Sequence, residues 1–289
     1  MALKIEDLFA AKTPVEEHDI GGHCVWVKRD DKFGRPPAPP QAKCRGLCAL
    51  IEGNAGIQGM ACWDTRVSTL GIGVAALCRA TGIKAMIGYP FTAKMIKEGR
   101  IPEPAAYAQA LGAEIVQCPA TRLTISQAFL SRAGCARGFQ IVPAGLACPE
   151  GFSAARQAGR ELPEYVLGGT LVMVAGSGII SSGVLAAHMD DFKKVCLITI
   201  GRPPSAVARR IAQNIGRIAP YVSIQAYPKL GYYDPLDIPV PFPAHPHYDM
   251  KAWHWLQMEI ERGTRFPEPI LFWNIGGYLP EGGVYRGND

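Results

Sequence analysis

The sequence predicts an α/β protein made of two open, mostly parallel sheets with a ligand cleft between them. Three observations predict it. Short apolar runs such as Leu171–Ala175 (LVMVA) and Pro269–Ile275 (PILFWNI) have the continuous, β-branched character of strands buried on both faces. These runs alternate with stretches of helical periodicity through short connections, which is the pattern of βα repeats. The alternation comes in two successive series, one from Gly53 to Pro149 and one from Leu171 onward, and 289 residues suffice for two such units. The expected division gives residues 1–47 and 151–289 to a larger unit and residues 48–150 to a smaller one.

Composition narrows the class. A chain that is 48% hydrophobic and 19% charged has enough apolar surface to fold and is not of the disordered type. No apolar run reaches the length of a membrane span. The opening segment MALKIEDLFAAKTP contains acids and lacks the apolar centre of a signal peptide, so a cytoplasmic protein is expected. The net charge of +5 permits a polyanionic partner without requiring one. Basic residues gather at Lys193–Lys194 and at Arg209, Arg210 and Arg217, either as a solvated helix face or as a rim for an anion. The nine cysteines form no CxxC pair and no zinc-like spacing with histidine, which points to reduced core thiols and to no metal site.

In chain order, residues 1–22 are polar, with one short helix around Ile5–Ala11. His23–Lys28 reads as a strand. The segment RDDKFGRPPAPP excludes regular structure, because proline lacks an N–H and fixes φ. A helix then begins near Lys43, with Cys44, Leu47, Cys48 and Ile51 on one face. In the first series, strands are expected at Gly56–Cys62, Ile83–Tyr89, Ala113–Cys118 and Phe139–Pro143. Helices are expected at Thr69–Thr81, Pro104–Leu111 and Ser126–Ala136. After a helix and loop in PEGFSAARQAGRELPEYV, the second series has strands at Leu171–Ala175, Val195–Gly201, Tyr221–Ala226 and Pro269–Ile275. Its helices are expected at Ser182–Met189, Pro204–Arg217 and Met250–Glu261. Between them KLGYYDPLDIPVPFPAHPHYD is irregular and aromatic, and a loop of this length inside a compact unit commonly lines a functional site.

Candidate chemistry concentrates where strands end. The stretch AGSGIISSG runs from a strand through Gly176, Ser177 and Gly178 to Ser181, Ser182 and Gly183 at a helix start. Glycines let backbone N–H groups approach a ligand, and the helix dipole favours an anion there. A tight turn whose glycines only permit close packing is the plain alternative. Lys43 follows a stiff proline-rich loop, Asp249 and Tyr248 precede a helix, and Asn274 ends the last strand. An amine, a phosphate cradle and a carboxylate are together what pyridoxal phosphate requires: a Schiff-base partner, an anchor, and a group facing the ring nitrogen. Each residue also has a structural reading. Lys43 can be a surface lysine, Asp249 and Ser68 can be helix N-caps, and Tyr248, Tyr232 and Tyr233 can be packing residues. His245, His247 and His254 lack metal spacing.

VWVKRDDKFG at 25–34, AKCRGL at 42–47, AGSGIISSG at 175–183, HYDMKAWHWL at 247–256 and ILFWNIGG at 270–277 occur in a telling order. In that order they resemble the VKREDL, NKxRKL, glycine-rich, YEGK and LFxHTGG segments of the tryptophan-synthase-β-like (fold type II) pyridoxal-phosphate enzymes. The likeness is strongest to the aminocyclopropane-carboxylate deaminase and D-cysteine desulfhydrase branch. It spans nearly the whole chain. It implies pyridoxal 5′-phosphate as cofactor, bound in the cleft. Lys43 would be the Schiff-base lysine, and Gly176, Ser177, Gly178, Ser181, Ser182 and Gly183 would form the phosphate loop. Asp249 would face the pyridine nitrogen, with Asn274 also at the cofactor. Residues 65–77, TRVSTLGIGVAAL, fall where that branch has its QSN-containing helix start, which would place Ser68 and Thr69 near the substrate carboxylate and cofactor ring. Apart from the resemblance, Tyr232 and Tyr233 can face the substrate as well as pack, and Tyr248 can act as an acid or base. The sequence departs from the family pattern at Gln41–Ala42, at Thr69, and at Ile179 and Ile180.

The resemblance implies an enzyme that joins an amino acid substrate to the cofactor as an external aldimine and works through a quinonoid carbanion, as a lyase or deaminase. A carboxylate at the ring nitrogen favours such carbanion chemistry. A second reading is a decarboxylase of an amino acid attached to modified thymine in bacteriophage DNA, active in the host cytoplasm, with the arginine cluster as a rim for DNA. A third is a non-catalytic ligand-binding relative. The partner is thus a small amino acid or amino-acid-modified DNA, with no membrane, and a homodimer is expected.

Overall fold

A computed structural model describes residues 5–35, 38–54, 56–119 and 123–277. The chain opens with α1 (Ile5–Leu8) and an antiparallel hairpin of β1 (Val15–Ile20) and β2 (His23–Arg29). β1 was not expected from sequence. In VEEHDI only Ile20 is buried, so no apolar alternation marks the strand, and its pairing is supplied entirely by β2. α2 (Lys43–Glu52) follows the proline-rich segment.

The smaller sheet and its helices come next: β3 (Gly59–Trp63), α3 (Leu70–Thr81), β4 (Lys84–Phe91), α4 (Ala93–Lys97), α5 (Glu103–Ala110), β5 (Glu114–Pro119), α6 (Leu123–Cys135) and β6 (Gln140–Val142). Its four strands are all parallel, in the order β5-β4-β3-β6. The short helix α4 was not expected either; it is started by the Thr92 hydroxyl, which accepts from the Met95 N–H. The larger sheet takes in α7 (Pro149–Gly159), β7 (Thr170–Ala175), α8 (Ile179–Ala187), β8 (Lys194–Thr199), α9 (Pro204–Ile215), β9 (Val222–Ala226), α10 (Asp249–Glu261) and β10 (Ile270–Asn274). Its order is β1-β2-β10-β7-β8-β9, parallel everywhere except at the β1–β2 hairpin. The expected division at residues 47 and 48 falls inside α2, a single helix that packs against both α7 and α3.

Period-2 alternation decides the layers of the larger sheet. Val172, Val174, Cys196, Ile198 and Phe272 point to one face and meet Trp253 and Leu256 of α10. Leu171, Met173, Val195, Leu197 and Trp273 point to the other and meet Val184 of α8 and Val207 and Ile211 of α9. Both faces are covered, so these strands are apolar throughout, as the sequence pattern required.

The strand orders locate the ligand crevice. In the larger sheet β7, β8 and β9 build one way while β10 lies on the other side of β7, so the order reverses between β7 and β10. In the smaller sheet the reversal lies between β3 and β6. Ligands of open α/β sheets bind beyond the carboxyl ends of strands at such a reversal. The residues after β7 (Gly176, Ser177), β3 (Asp64, Thr65) and β6 (Ala144, Gly145) line a shared cavity between the two sheets.

Beneath the crevice lies a buried ionic lattice. Lys28, fully buried, donates to the Thr13 carbonyl at 2.8 Å and to Glu161 at 3.2 Å. Arg45 of α2 donates to Glu161 and to Asp30, and Asp30 also accepts from the Thr13 hydroxyl and from the Trp273 indole N–H of β10. Arg29 grips Asp31 through two parallel bonds of 2.8 and 2.7 Å and also pairs with Glu16. A lattice like this adds little net stability relative to an apolar core, but removing one member strands a buried charge. Glu161→Ala, which leaves Lys28 with only a carbonyl partner, is expected to cost about 3–5 kcal/mol. A lower midpoint of urea unfolding at unchanged slope would measure it.

Candidate active site

Lys43 is held by the pairing of its own approach segment with the chain after β10. Ala42 N–H donates to the Ile275 carbonyl at 2.9 Å, Gly277 N–H donates to the Pro40 carbonyl at 2.6 Å, and Gln41 bridges Gly276. The approach is close enough that a Cβ on Gly276 would overlap the Pro40 carbonyl, and its φ of +79° is itself suited to glycine. Lys43 therefore opens α2 directly beside the end of β10. Its side chain is half-buried, with Nζ 5.9 Å from the centre of the Tyr248 ring. Among the described residues its ammonium has no hydrogen bond or ion pair. Burial pushes its pKa down, against the pull of Asp64 and Asp249, and Arg202 presses it further down.

Asp249 sits across the same cavity, fully buried. It does not cap α10, because Tyr248 is the N-cap residue and Asp249 already lies in the helix. Its Oδ1 instead accepts the Ile275 N–H at 2.8 Å, while Oδ2 is buried with no hydrogen-bond partner among the described residues. Burial pushes the carboxyl up to about 8, the Ile275 N–H pulls it back, and nearby Asp31 raises it again. A buried carboxyl with one oxygen unengaged lacks a partner, and a protonated ring nitrogen is one chemically suited group.

The turn after β7 forms another side of the cavity. Gly178, with φ +81°, is the N-cap of α8, so the helix starts at Ile179, three residues before the expected Ser182. Gly176, Ser177, Gly178, Ile180 and Ser181 line the cavity together with Lys43, Ser68, Thr69, Tyr248 and Asp249. Ser177 also donates to the Gly145 carbonyl at 3.0 Å, which ties the turn to the loop after β6. Ser182 and Gly183 do not face the cavity, which corrects the expectation for both. The Ser182 hydroxyl donates to the Gly178 carbonyl at 2.6 Å and accepts from Asn214 at 3.0 Å. Gly183 packs on α7, where a Cβ would stand 2.5 Å from that of Ala155. Asn274 is not among the residues lining the cavity: its amide donates to Asp31 at 2.9 Å and to the Pro243 carbonyl at 2.8 Å, while its buried Oδ1 has no hydrogen-bond partner among the described residues.

On the substrate side, the helix-start bonds of α3 come chiefly from Asp64. Its carboxylate accepts the Gly71 N–H at 2.7 Å and the Thr65 N–H at 2.9 Å. Ser68 is buried, accepts a long 3.4 Å contact from the Leu70 N–H, hydrogen-bonds the Asp64 carboxylate, and lines both the inner cavity and the larger one. Thr69 is committed to Gln41: its hydroxyl donates to the Gln41 side chain at 3.0 Å, and the Gln41 amide donates to the Thr69 carbonyl at 2.7 Å. Gln41, a cavity residue that sequence reasoning noted only as a departure from the family pattern, thus fixes the start of α3 against the lysine loop. Tyr232 lines the larger cavity, and its hydroxyl bonds both Thr65 at 2.9 Å and the Tyr248 hydroxyl. Burial raises Tyr232 to about 12 and Tyr248 well above the ordinary phenol value, so both remain protonated. His245, also missed, lines the inner cavity. Burial lowers it to about 3, so it is neutral, and its Nδ1 accepts the His247 N–H. No sequence spacing marks it; only the folding of the aromatic loop brings it inward. Among the described residues no cluster suits a metal ion.

No family model matches the sequence. A curated relative, the glycyl-dTMP PLP-dependent decarboxylase of Pseudomonas phage M6, is 30% identical over 281 residues, spanning 91% of this chain and 98% of the relative. The chain belongs to the fold type II pyridoxal-phosphate-dependent enzymes. Solved structures agree on the fold. An ACC deaminase homologue superposes with a TM-score of 0.72 at 19% identity, over 93% of this chain and 90% of that one. Threonine deaminase isoform 2 of Solanum lycopersicum gives 0.66 at 16% identity, over 97% and 83%. Diaminopropionate ammonia lyase of Escherichia coli gives 0.62 at 14%, over 93% and 85%. The cofactor of this fold type II enzyme is pyridoxal 5′-phosphate, and the cavity fits it: an unpaired lysine, an unshared buried carboxyl oxygen and a glycine–serine helix start converge on one space. Among the described residues no helix is long and apolar enough to cross a membrane.

The Asp249 carboxyl makes a pH prediction for the cofactor-free chain. Its folded pKa of about 8 lies above the ordinary 3.8, so its stabilising contribution is complete below pH 3.8 and is lost as pH rises through 8. Asp31 and Asp64, also raised by burial, act in the same sense. The measurement is therefore a comparison: melting temperature against pH for wild type and Asp249→Asn. The variant is expected to lose less stability between pH 5 and 8, by up to ~1.4 kcal/mol per pH unit.

Proposed function

We propose that this chain is a pyridoxal-phosphate-dependent decarboxylase whose substrate is an amino acid carried on a thymine nucleotide of DNA. The near full-length similarity to a glycyl-dTMP decarboxylase supports the reaction and the substrate class. The observation that carries the chemistry is the opposition of Lys43 to the unshared oxygen of Asp249 across one cavity.

When bound, pyridoxal phosphate supplies an electron sink for the pair left at the substrate's α-carbon as a bond there breaks. Lys43 would hold the cofactor covalently and yield to the incoming substrate amine. Its lowered pKa increases the share of neutral, nucleophilic amine. Ser177, Ser181 and the N–H groups opening α8 would hold the phosphate. Asp249 would keep the ring nitrogen protonated, since that nitrogen gives the buried carboxylate the partner it lacks. The exposed side of Lys43 leads into a cavity of about 720 Å³, room for far more than a free small amino acid. Ser68 stands at the junction of the two spaces, suited to orient a carboxylate. Loss of CO2 leaves a carbanion that needs a proton. Tyr248, protonated, backed by the Tyr232 and Thr65 hydroxyls and with its ring centre 5.9 Å from the Lys43 amine, would supply it.

Three measurements test this. Lys43→Ala is expected to abolish the cofactor adduct trapped by borohydride; an adduct that survives rules Lys43 out. Wild type should release CO2 from DNA bearing an amino acid on thymine, with the amine retained. Ammonia or elimination products from free amino acids would instead establish the lyase or deaminase expected from the sequence. Tyr248→Phe should keep the visible absorbance of the bound cofactor while slowing CO2 release by about 10²–10⁴-fold.

A further inference from the structure

We propose that the 720 Å³ cavity is a nucleotide subsite in which the Tyr233 ring and its neighbours receive the thymine base and Arg66 and Arg202 bind the flanking phosphates. This rests on the reading that the amino acid is carried on a nucleotide, and it names the groups that would recognise the carrier.

Charge and composition single out this cavity. It is lined by Arg66, Arg202, Trp63, Tyr232 and Tyr233, and among the described residues its only lining carboxylate is Asp64, buried and occupied by two backbone N–H groups. Among the described residues neither arginine has an ion-pair partner; Arg66 contacts the Met95 sulfur at 4.0 Å and the Tyr233 ring. A second large cavity, of about 540 Å³, opens beside His245 and His247 and also reaches Arg66, but Glu103 and Asp237 line it and would repel a phosphodiester, and Arg202 is not among its lining residues. The cluster Arg209, Arg210 and Arg217, which the sequence offered as a rim for DNA, does not line either space; the Arg210 stem packs against Gly178 from outside.

The aromatic residues are placed for stacking. Tyr233 is 45% exposed, yet it is fixed from two sides. The Arg66 guanidinium lies 4.5 Å from its ring centre, and Tyr232 contacts it in a T-shaped arrangement at 4.8 Å. Tyr232 is in turn anchored by its bonds to Thr65 and Tyr248. A rigid, solvent-facing aromatic beside an arginine is the combination that proteins use to hold a base out of its stack and grip its backbone. Arg202 is exposed at the mouth, but it is near enough to influence Lys43, so mouth and floor belong to one continuous space. Lys43 lies between the two sheets, where a base kept in a duplex cannot reach. The target nucleotide must therefore be turned out of the helix, and single-stranded DNA should bind more tightly than paired DNA.

The test uses the cofactor-loaded full chain and a labelled single-stranded oligonucleotide of unmodified thymidines, with binding followed by fluorescence anisotropy over a range of salt concentrations. Arg66→Gln and Arg202→Gln are each expected to weaken binding about tenfold and to reduce the slope of log affinity against log salt by about one. Tyr233→Ala should weaken binding without changing the slope, and Arg209→Gln should bind as wild type. The visible absorbance of the bound cofactor reports that each variant is folded. The subsite is overturned if both arginine variants bind as wild type, if Arg209→Gln loses as much as they do, or if paired DNA binds better than single strands. CO2 release from amino-acid-modified DNA is measured in parallel to separate the two ideas. Release that persists in arginine variants with unchanged binding leaves the decarboxylase standing and removes the subsite. Arginine-dependent binding without CO2 release leaves the subsite and removes the decarboxylase.

Discussion

The structure depends on the buried ionic lattice built around Asp30 and Asp31. These two carboxylates follow β2 and are met by Arg29 of β2, Arg45 of α2, and Trp273 and Asn274 of β10, so three segments converge on one pair of residues. Through Arg45 the lattice fixes α2, which opens with Lys43. Through Trp273 and Asn274 it fixes the end of β10, whose next N–H holds Asp249. The separation of Lys43 and Asp249 is therefore set by charges that neither of them touches. Buried ion pairs like these contribute little net stability but specify one arrangement, since every misplacement leaves a charge without a partner.

The second constraint is topological. Each sheet reverses its strand order once, and the two reversals face each other. The loops after β7, β3 and β6 consequently meet in one space without any long excursion of the chain, and the Ser177 bond to Gly145 joins the two sheets across it. The irregular segment between β9 and α10 closes the remaining side. It brings Tyr232 against Thr65 and His245 against the inner cavity. The same wall thus has a buried floor that holds Lys43 and Asp249 and a cationic, aromatic mouth, and that gradient suits a substrate with a small reacting end and a large anionic carrier.

Much of this was legible beforehand because it follows from local rules. Buried parallel strands are apolar on both faces, so β7 and β10 stood out, and glycines followed by hydroxyls marked the anion turn. Lys43 and Asp249 were found through the order of segments, not through any property of a lone lysine or aspartate. What failed locally failed for a physical reason. β1 has no apolar stripe because it is an edge strand whose pairing comes from its neighbour. Ser182 and Gly183 look like ligands in sequence, yet the helix begins earlier and turns them toward Asn214 and α7. Asn274 looks like a cofactor contact, yet Asp31 claims its amide.

By itself the sequence determined the α/β class, the two βα series and the set of residues able to handle an amine, an anion and a ring nitrogen. Periodicity, turn chemistry and segment order are properties of neighbours along the chain, and they survive without knowledge of the fold. Only the tertiary structure decided which hydroxyls are free, that Gln41 takes up Thr69, that one oxygen of Asp249 is unshared, and that Arg66 and Arg202, not the Arg209 cluster, line the larger cavity. Those outcomes depend on burial and on partners distant in sequence. A buried polar group is defined by what reaches it, and that is settled only when the chain has closed around it.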